Sequence, residues 1–236
     1  MIADHIIDAV KAHAATSPAR EVCGLVVSQR RKQIYLPCTN IAPADNEFAI
    51  DPADFADASD KYEVVCVAHS HVNVSPAPSQ ADLIQIERHK LPYLIVNHPV
   101  GTWTYTKPSG YVAPYVGRAF VHGITDCYAI WRDYYSRELG IEMIDYTRGV
   151  EWWLKGDNLY LDNYIDAGFV PVDTLQKHDI ILMQVVSQVP NHCAVYLGDN
   201  TILHHVMGKA SSRDVYGGYW RKITNMILRH KSLCSL

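Results

Sequence analysis

The stretch HSHVNVSPAPSQAD, residues 69–82, decides how the first half of this chain reads. It closes an apolar, β-branched run, EVVCVA at 63–68, and leads into a stretch of helical spacing from Ala81 to His89. On an extended strand residues i and i+2 share a face, so His69 and His71 point the same way while Asp82 arrives from the start of the following helix. Two imidazoles and a carboxylate are zinc ligand types. Three protein ligands leave a fourth tetrahedral position open, the arrangement that separates a catalytic zinc from a structural one. In a chain with 12 histidines a bare His-x-His carries little weight, so the reading rests on the whole spaced string.

Working outward, residues 2–14 place Ile6, Ile7, Val10 and Ala14 at helical spacing, and Ser17-Pro18 ends the run. Strands are predicted at 22–28 (VCGLVVS), 33–37 (QIYLP), 63–68, 93–97 (YLIVN) and 102–106 (TWTYT), with a short helix over 52–61. The segment 107–118, KPSGYVAPYVGR, has two prolines, two glycines and no periodicity, and reads as a connection between domains. The boundary is placed there, giving domains 1–108 and 109–236. Beyond it a helix is expected over 127–139 (CYAIWRDYYSREL), then strands at 179–186, 193–197 and 201–204, the last two joined by a tight turn at Gly198-Asp199-Asn200. The fold class is α/β (α+β): a mixed sheet with helices first, then a helix followed by an antiparallel sheet. The last residues, ending NMILRHKSLCSL, match no motif and are read as a segment for docking a partner.

A second constellation lies in this latter half. Cys127 follows Asp126 at the opening of a helix, where free N–H groups and partial positive charge favour a thiolate. His192 opens the run HCAVYLGDN, and His204 ends the strand returning across the Gly198 turn. Nucleophile, base and a group orienting the base make a triad. Cys193 and His205, next in sequence to the two histidines, are expected on the opposite face. The other cysteines, at 23, 38, 66 and 234, show no CxxC pair and read as reduced thiols.

Bulk properties narrow the function. At 236 residues, two domains of roughly 100 to 130 residues are expected. With 48% hydrophobic and 19% charged residues the chain is globular, and a net charge of −4 with pI ≈ 6.3 supplies no positive field for phosphates, so no nucleic-acid partner is expected. No apolar run approaches the roughly 20 residues of a membrane span. The N-terminus lacks the basic and apolar regions of a secretory signal, which points to synthesis in the cytosol and away from an exported wall-remodelling enzyme.

The string at 69–82, with PAREVCGL at 18–25, resembles the JAMM (Mov34/MPN) metallopeptidase signature: Glu, then His-x-His, seven residues, Ser, two residues, Asp. The resemblance implies zinc ligands His69, His71 and Asp82, Glu21 as general base on the attacking water, and Ser79 as donor to the developing oxyanion. The family commonly has Pro after the second His, where Val72 stands here. Residues 110–215 resemble the NlpC/P60 cysteine peptidases, with a papain-like helix and antiparallel sheet, on Asp-Cys before a helix and a His…YLG…His hairpin. That likeness implies Cys127 as nucleophile, His192 as base, His204 as its orienting group, and Tyr115 in the site. Tyr128-Ala129 stands where the family has Ser-Gly, and His178-Asp179 where it has Gly-Asp.

The two domains in this order resemble tail assembly proteins of long-tailed phages. This implies a protein made in host cytoplasm and acting there or in the virion tail tip. Its partners would be other tail tip proteins and the peptide stems of peptidoglycan, which NlpC/P60 enzymes cut between D-glutamate and a diamino acid. The zinc half would cut an isopeptide or peptide bond. A bifunctional peptidase is the leading expectation; a non-catalytic assembly factor, or scaffold, is the alternative.

Overall fold

In the computed structural model the described residues are 2–234, and the chain divides into two compact units, 1–112 and 113–236. The division falls after Val112 and not after Pro108. The cause is Glu87, whose carboxylate accepts from the backbone N–H of Ser109, Gly110 and Tyr111 at 2.6, 2.8 and 3.0 Å, tying the start of the connecting segment to the first unit.

In the first unit, α1 (Asp4–Ala15) precedes β1 (Cys23–Gln29) and β2 (Lys32–Cys38). Then come α2 (Pro52–Lys61), β3 (Glu63–Val72), α3 (Gln80–His89), β4 (Tyr93–His98) and β5 (Trp103–Thr106). The sheet order is β2-β1-β3-β4-β5; only β3 and β4 are parallel, joined through α3. Strand alternation sorts the core into two layers. Ile6, Ile7, Val10 and Ala14 of α1 pack on Val26, Cys66, Ala68, Leu94 and Val96. On the opposite face Ala58 of α2 and Ile86 of α3 pack on Leu25, Val27, Val67, Tyr93 and Ile95. His69 and His71 follow Val67 in the alternation and so belong to the face that α3 covers.

Close approach of β2 to β1 depends on Gly24. A methyl there would stand 2.5 Å from the Leu36 carbonyl oxygen and 2.6 Å from the Tyr35 ring. Backbone cannot yield cheaply, so Gly24→Ala is expected to lower unfolding stability by about 1–3 kcal/mol in urea titration.

The second unit holds α4 (Cys127–Tyr134), α5 (Leu159–Asn163), β6 (Phe169–Pro171), β7 (Ile180–Met183) and β8 (His192–Gly198). It continues with β9 (Thr201–His204), β10 (Ser212–Val215), α6 (Gly218–Lys222) and β11 (Thr224–His230). The sheet runs β10-β9-β8-β7-β11-β6, antiparallel throughout. α4 lays Ile130, Trp131 and Tyr134 over Phe169, Leu182, Cys193, Val195 and Leu228. The expected helix over 127–139 is α-helical only to Tyr134; a π-helical turn, Tyr135–Leu139, follows and Gly140 closes it at φ 66.

Two sequence expectations are corrected here. The strand read at 179–186 stops at Met183, and Val186 sits at φ 48 with its side chain in solvent. The C-terminal segment read as a docking tail is a central strand: β11 pairs with β7 and β6, Leu228 is buried, and Arg229 binds buried Asp179 through two contacts of 2.8 Å. Its alternation was hidden by Arg229, a charge inside the sheet that needs Asp179 to be tolerated. Ser235 and Leu236, the end of that segment, lie outside the described residues. Among the described residues no helix is long and apolar enough to cross a membrane.

Candidate functional sites

At the C-terminal end of β3 the side chains of His69 and His71 converge, their Nε2 atoms 3.2 Å apart. Asp82, in the first turn of α3, lies 3.4 Å from His69 Nε2 and 3.6 Å from His71 Nε2. All three are buried, and their donor atoms lie within 4.8 Å of one another. One hydrogen bond fixes the His71 donor. His71 Nδ1–H donates to the Ser75 carbonyl at 2.7 Å, which leaves the Nε2 lone pair of the neutral ring facing the cluster. Phe48 stacks on His69 at 4.2 Å and Tyr93 meets its edge at 5.8 Å. Two imidazole lone pairs and a carboxylate aimed at one point fit a zinc ion.

Electrostatics favour the donor forms of His69 and Asp82. Burial pulls His69 down to about 4, so its ring is neutral near pH 7. Burial works against the charge of Asp82, but His69, His71 and Ser79 outweigh it and hold the carboxyl well below the usual range. Burial lowers His71, yet Asp82, the Ser75 carbonyl and Glu21 leave it above its ordinary value. Glu21 is buried just before β1. Desolvation pushes it up to about 7, with Asp82 adding and His71 opposing, which poises it as a base near neutrality.

Ser79 stands beside the cluster, just before Gln80. It is the N-cap of α3: its Oγ accepts from Asp82 N–H at 3.1 Å and donates to Asp82 Oδ2 at 2.7 Å, while its own N–H donates to the same oxygen at 2.7 Å. With its proton toward Asp82, the hydroxyl orients a ligand.

In the second unit Asp126 caps α4, accepting from Ala129 N–H at 2.9 Å, and sets Cys127 at the first helical position. Arg148 grips the same carboxylate at 2.7 and 3.0 Å, with both side chains buried. Asp126→Ala would remove the α4 cap and the buried partner of Arg148, which would keep only the more exposed Asp145 carboxylate at 3.1 Å. It is expected to cost about 3–5 kcal/mol of unfolding free energy, readable by urea titration.

His192 Nε2 lies 3.0 Å from His204 Nδ1, and His204 Nε2 lies 3.1 Å from Asp214 of β10. Burial first, then His192, depress His204 to about 4 against the pull of Asp214, so its ring is neutral. A neutral His204 with its proton toward Asp214 accepts from His192 Nε2–H. That tautomer leaves the Nδ1 lone pair of His192 for Cys127. Trp220 stands edge-on to His204 at 4.7 Å and beside His192 at 5.9 Å, keeping water from the pair. Cys127, 9% exposed, is held well below the ordinary thiol range by side-chain bonds to Cys193, then against burial by His192 and Tyr160.

The structure thus brings together Cys127, His192 and His204 in one cluster, and Glu21 with His69, His71 and Asp82 in the other. Tyr115 donates its hydroxyl to Glu138 at 2.9 Å, and its ring packs by Tyr134 and under Arg137. The phenol beside Cys127 belongs to Tyr160 of α5, whose oxygen is 3.4 Å from Cys127 Sγ. Alternation does set Cys193 opposite His192, but its face is the one α4 covers, so Cys193 lies in the apolar cluster that includes Cys127 and receives the Tyr160 hydroxyl at 3.3 Å. His205 is turned to the Thr125 carbonyl and Phe120. Sequence reasoning missed Asp214, Tyr160 and Cys193. The β9–β10 pairing, Ser212 with His204, was the signal available for Asp214; nothing local marks Tyr160.

Residues 3–106 match the family of prokaryotic homologs of the JAB domain, and residues 117–229 match the NlpC/P60 family. Tail tip assembly protein K of Escherichia phage N15 is 38% identical over 231 residues, 96% of this chain and 95% of that protein. Tail tip assembly protein K of Escherichia phage lambda is 38% identical over 185 residues, 78% of this chain and 90% of that one. A JAB1/MPN domain protein from Archaeoglobus fulgidus aligns with 46% of this chain and 90% of its own at 19% identity and a TM-score of 0.30.

Proposed function

Because the chain belongs to the tail tip assembly protein K family, we propose that it is a bifunctional peptidase of a phage tail tip. Its cysteine centre cuts peptide stems of peptidoglycan and its zinc centre cuts a peptide or isopeptide bond. The observation that carries the reading is the line Cys127, His192, His204, Asp214: His192 Nε2 meets His204 Nδ1 at 3.0 Å, and the half-exposed Asp214 carboxylate stands 3.1 Å from His204 Nε2.

In the cysteine reaction the Cys127 sulfur attacks the scissile carbonyl carbon, and His192 passes the thiol proton to the departing amine. Water then releases the acyl group with His192 as base. Neutral His204 holds the His192 ring in register and shares positive charge as it develops, backed by Asp214. In the first unit, His69, His71 and Asp82 would hold zinc, which supplies Lewis acidity toward a carbonyl. Glu21 takes a proton from the attacking water and returns it to the amine; Ser79 keeps Asp82 aimed. The partners are stem peptides and other tail tip proteins, met in the host cytoplasm during assembly and at the virion tail tip.

A purely structural role is the competing reading. Phage carrying both Cys127→Ala and His71→Ala tests it: the peptidase account expects infectivity to fall by orders of magnitude. Normal tails and normal infectivity would leave both folds as docking modules.

A further inference from the structure

The two histidines of the metal cluster are oriented by different means. His71 gives its Nδ1–H to the Ser75 carbonyl at 2.7 Å, whereas His69 Nδ1 is buried and makes no hydrogen bond among the described residues. The χ2 torsion of an imidazole is broad, so a ring without such a bond keeps its plane only through what packs on it. Two rings do so. Tyr93, held in β4 opposite Val67, meets the edge of His69 with centroids 5.8 Å apart and planes at 80°, and Phe48 lies on its face at 4.2 Å and 22°. Phe48 also meets Tyr93, at 6.1 Å.

Tyr93 comes from the sheet, but Phe48 stands in the connection between β2 and α2, outside any named strand or helix. Asn40 holds it there. Its side-chain oxygen accepts from the N–H of Ala42 at 2.9 Å and of Ala49 at 3.0 Å, and its amide nitrogen donates to the Glu47 and Glu21 carbonyls, both at 2.9 Å. An Asn side chain gives two bonds and receives two, and here all four go to backbone. Two of them grip the residues on either side of Phe48, and a third ties the same side chain to the backbone of Glu21. Resting on the reading of His69 as a zinc ligand, the geometry points to Phe48 as a positioning residue: clamped by Asn40, its ring fixes the plane of His69 so that Nε2 faces the other two donors. That nitrogen stands 3.2 Å from His71 Nε2 and 3.4 Å from Asp82 Oδ1, so a ring turned out of its plane would carry the lone pair away from the point they share. Phe48 thus takes the place of the hydrogen-bonding partner that a ligating histidine usually has.

The test is the affinity of the full, metal-stripped chain for zinc alone, read by competition with a chromophoric chelator, with His71→Ala as the blank for zinc held elsewhere. A urea titration of each metal-free variant runs beside it. Phe48→Ala is expected to bind zinc at least about tenfold more weakly than wild type, the loss usual for removing a group that orients a ligand. Phe48→Leu keeps apolar bulk without a flat face, and so spares the fold if Ala does not; it should lose affinity too. Phe48→Tyr, which keeps the ring, should stay near wild type. Asn40→Ala should weaken binding in the same direction, and adding it to Phe48→Ala should cost little more, because both act through one ring. Unchanged affinity in Phe48→Ala or Phe48→Leu overturns the proposal, as does an equal loss in all three Phe48 variants, which would mark sensitivity to any change there and not the ring. Losses that add in the double variant would overturn the role given to Asn40. A wild type that binds no zinc would instead sink the metal reading beneath it.

Discussion

Replacing Cys127 by Ala is expected to abolish cleavage of stem peptides, with kcat falling by at least about 10⁴-fold while the protein stays folded. Removing the nucleophile of a triad costs nearly as much as removing the triad, since the other members have nothing left to activate. Only solvent attack assisted by binding would remain. The fold should tolerate the change: Cys127 is small and sits at the helix start, and the cap on α4 is made by Asp126, not by the thiol. Peptide release followed by mass spectrometry, beside a urea titration of the same variant, checks both halves of the statement. Cleavage within tenfold of wild type would remove Cys127 from the mechanism.

His71→Ala is expected to take the zinc content of the purified protein from about one per chain to less than a tenth, with affinity more than about 100-fold weaker. Loss of a group that merely supports a ligand costs 10–100-fold, and this is a donor itself. His69 and Asp82 would remain, but a two-donor site leaves Asp82 buried beside a neutral imidazole without the charge that justified burying it. Elemental analysis after dialysis, with wild type in parallel, reads the result. Full zinc occupancy in His71→Ala would mean that the ion is held elsewhere.

What could be read before the structure, and what could not, follows from the range of each signal. His69, His71 and Asp82 were legible because strand and helix-start geometry fix their relative directions within 14 residues. The β8–β9 hairpin was equally local: His204 pairs with Ala194, and His192, two residues along β8, shares its face. Ser79 was legible as a position, but its bonds to Asp82 were not. Spacing says where a hydroxyl is, and only coordinates say that its proton is spent on Asp82. The direction of Tyr115 was not legible: twelve residues of turn-rich chain before Cys127 leave it free, and its hydroxyl donates to Glu138. Tyr160 comes from a short helix in a long connection whose path is set by the packing of Trp131 and Trp152, information that no local pattern carries.

The most direct test of the two-centre account is cleavage of purified peptidoglycan stem peptides by the zinc-loaded, reduced protein, with products identified by mass spectrometry and repeated after metal chelation. The account predicts a new amine at the diamino acid following D-glutamate. Its appearance should depend on Cys127 and survive chelation, because each unit carries its own complete set of reacting groups. No released amine under either condition, or release that persists in Cys127→Ala, would contradict it.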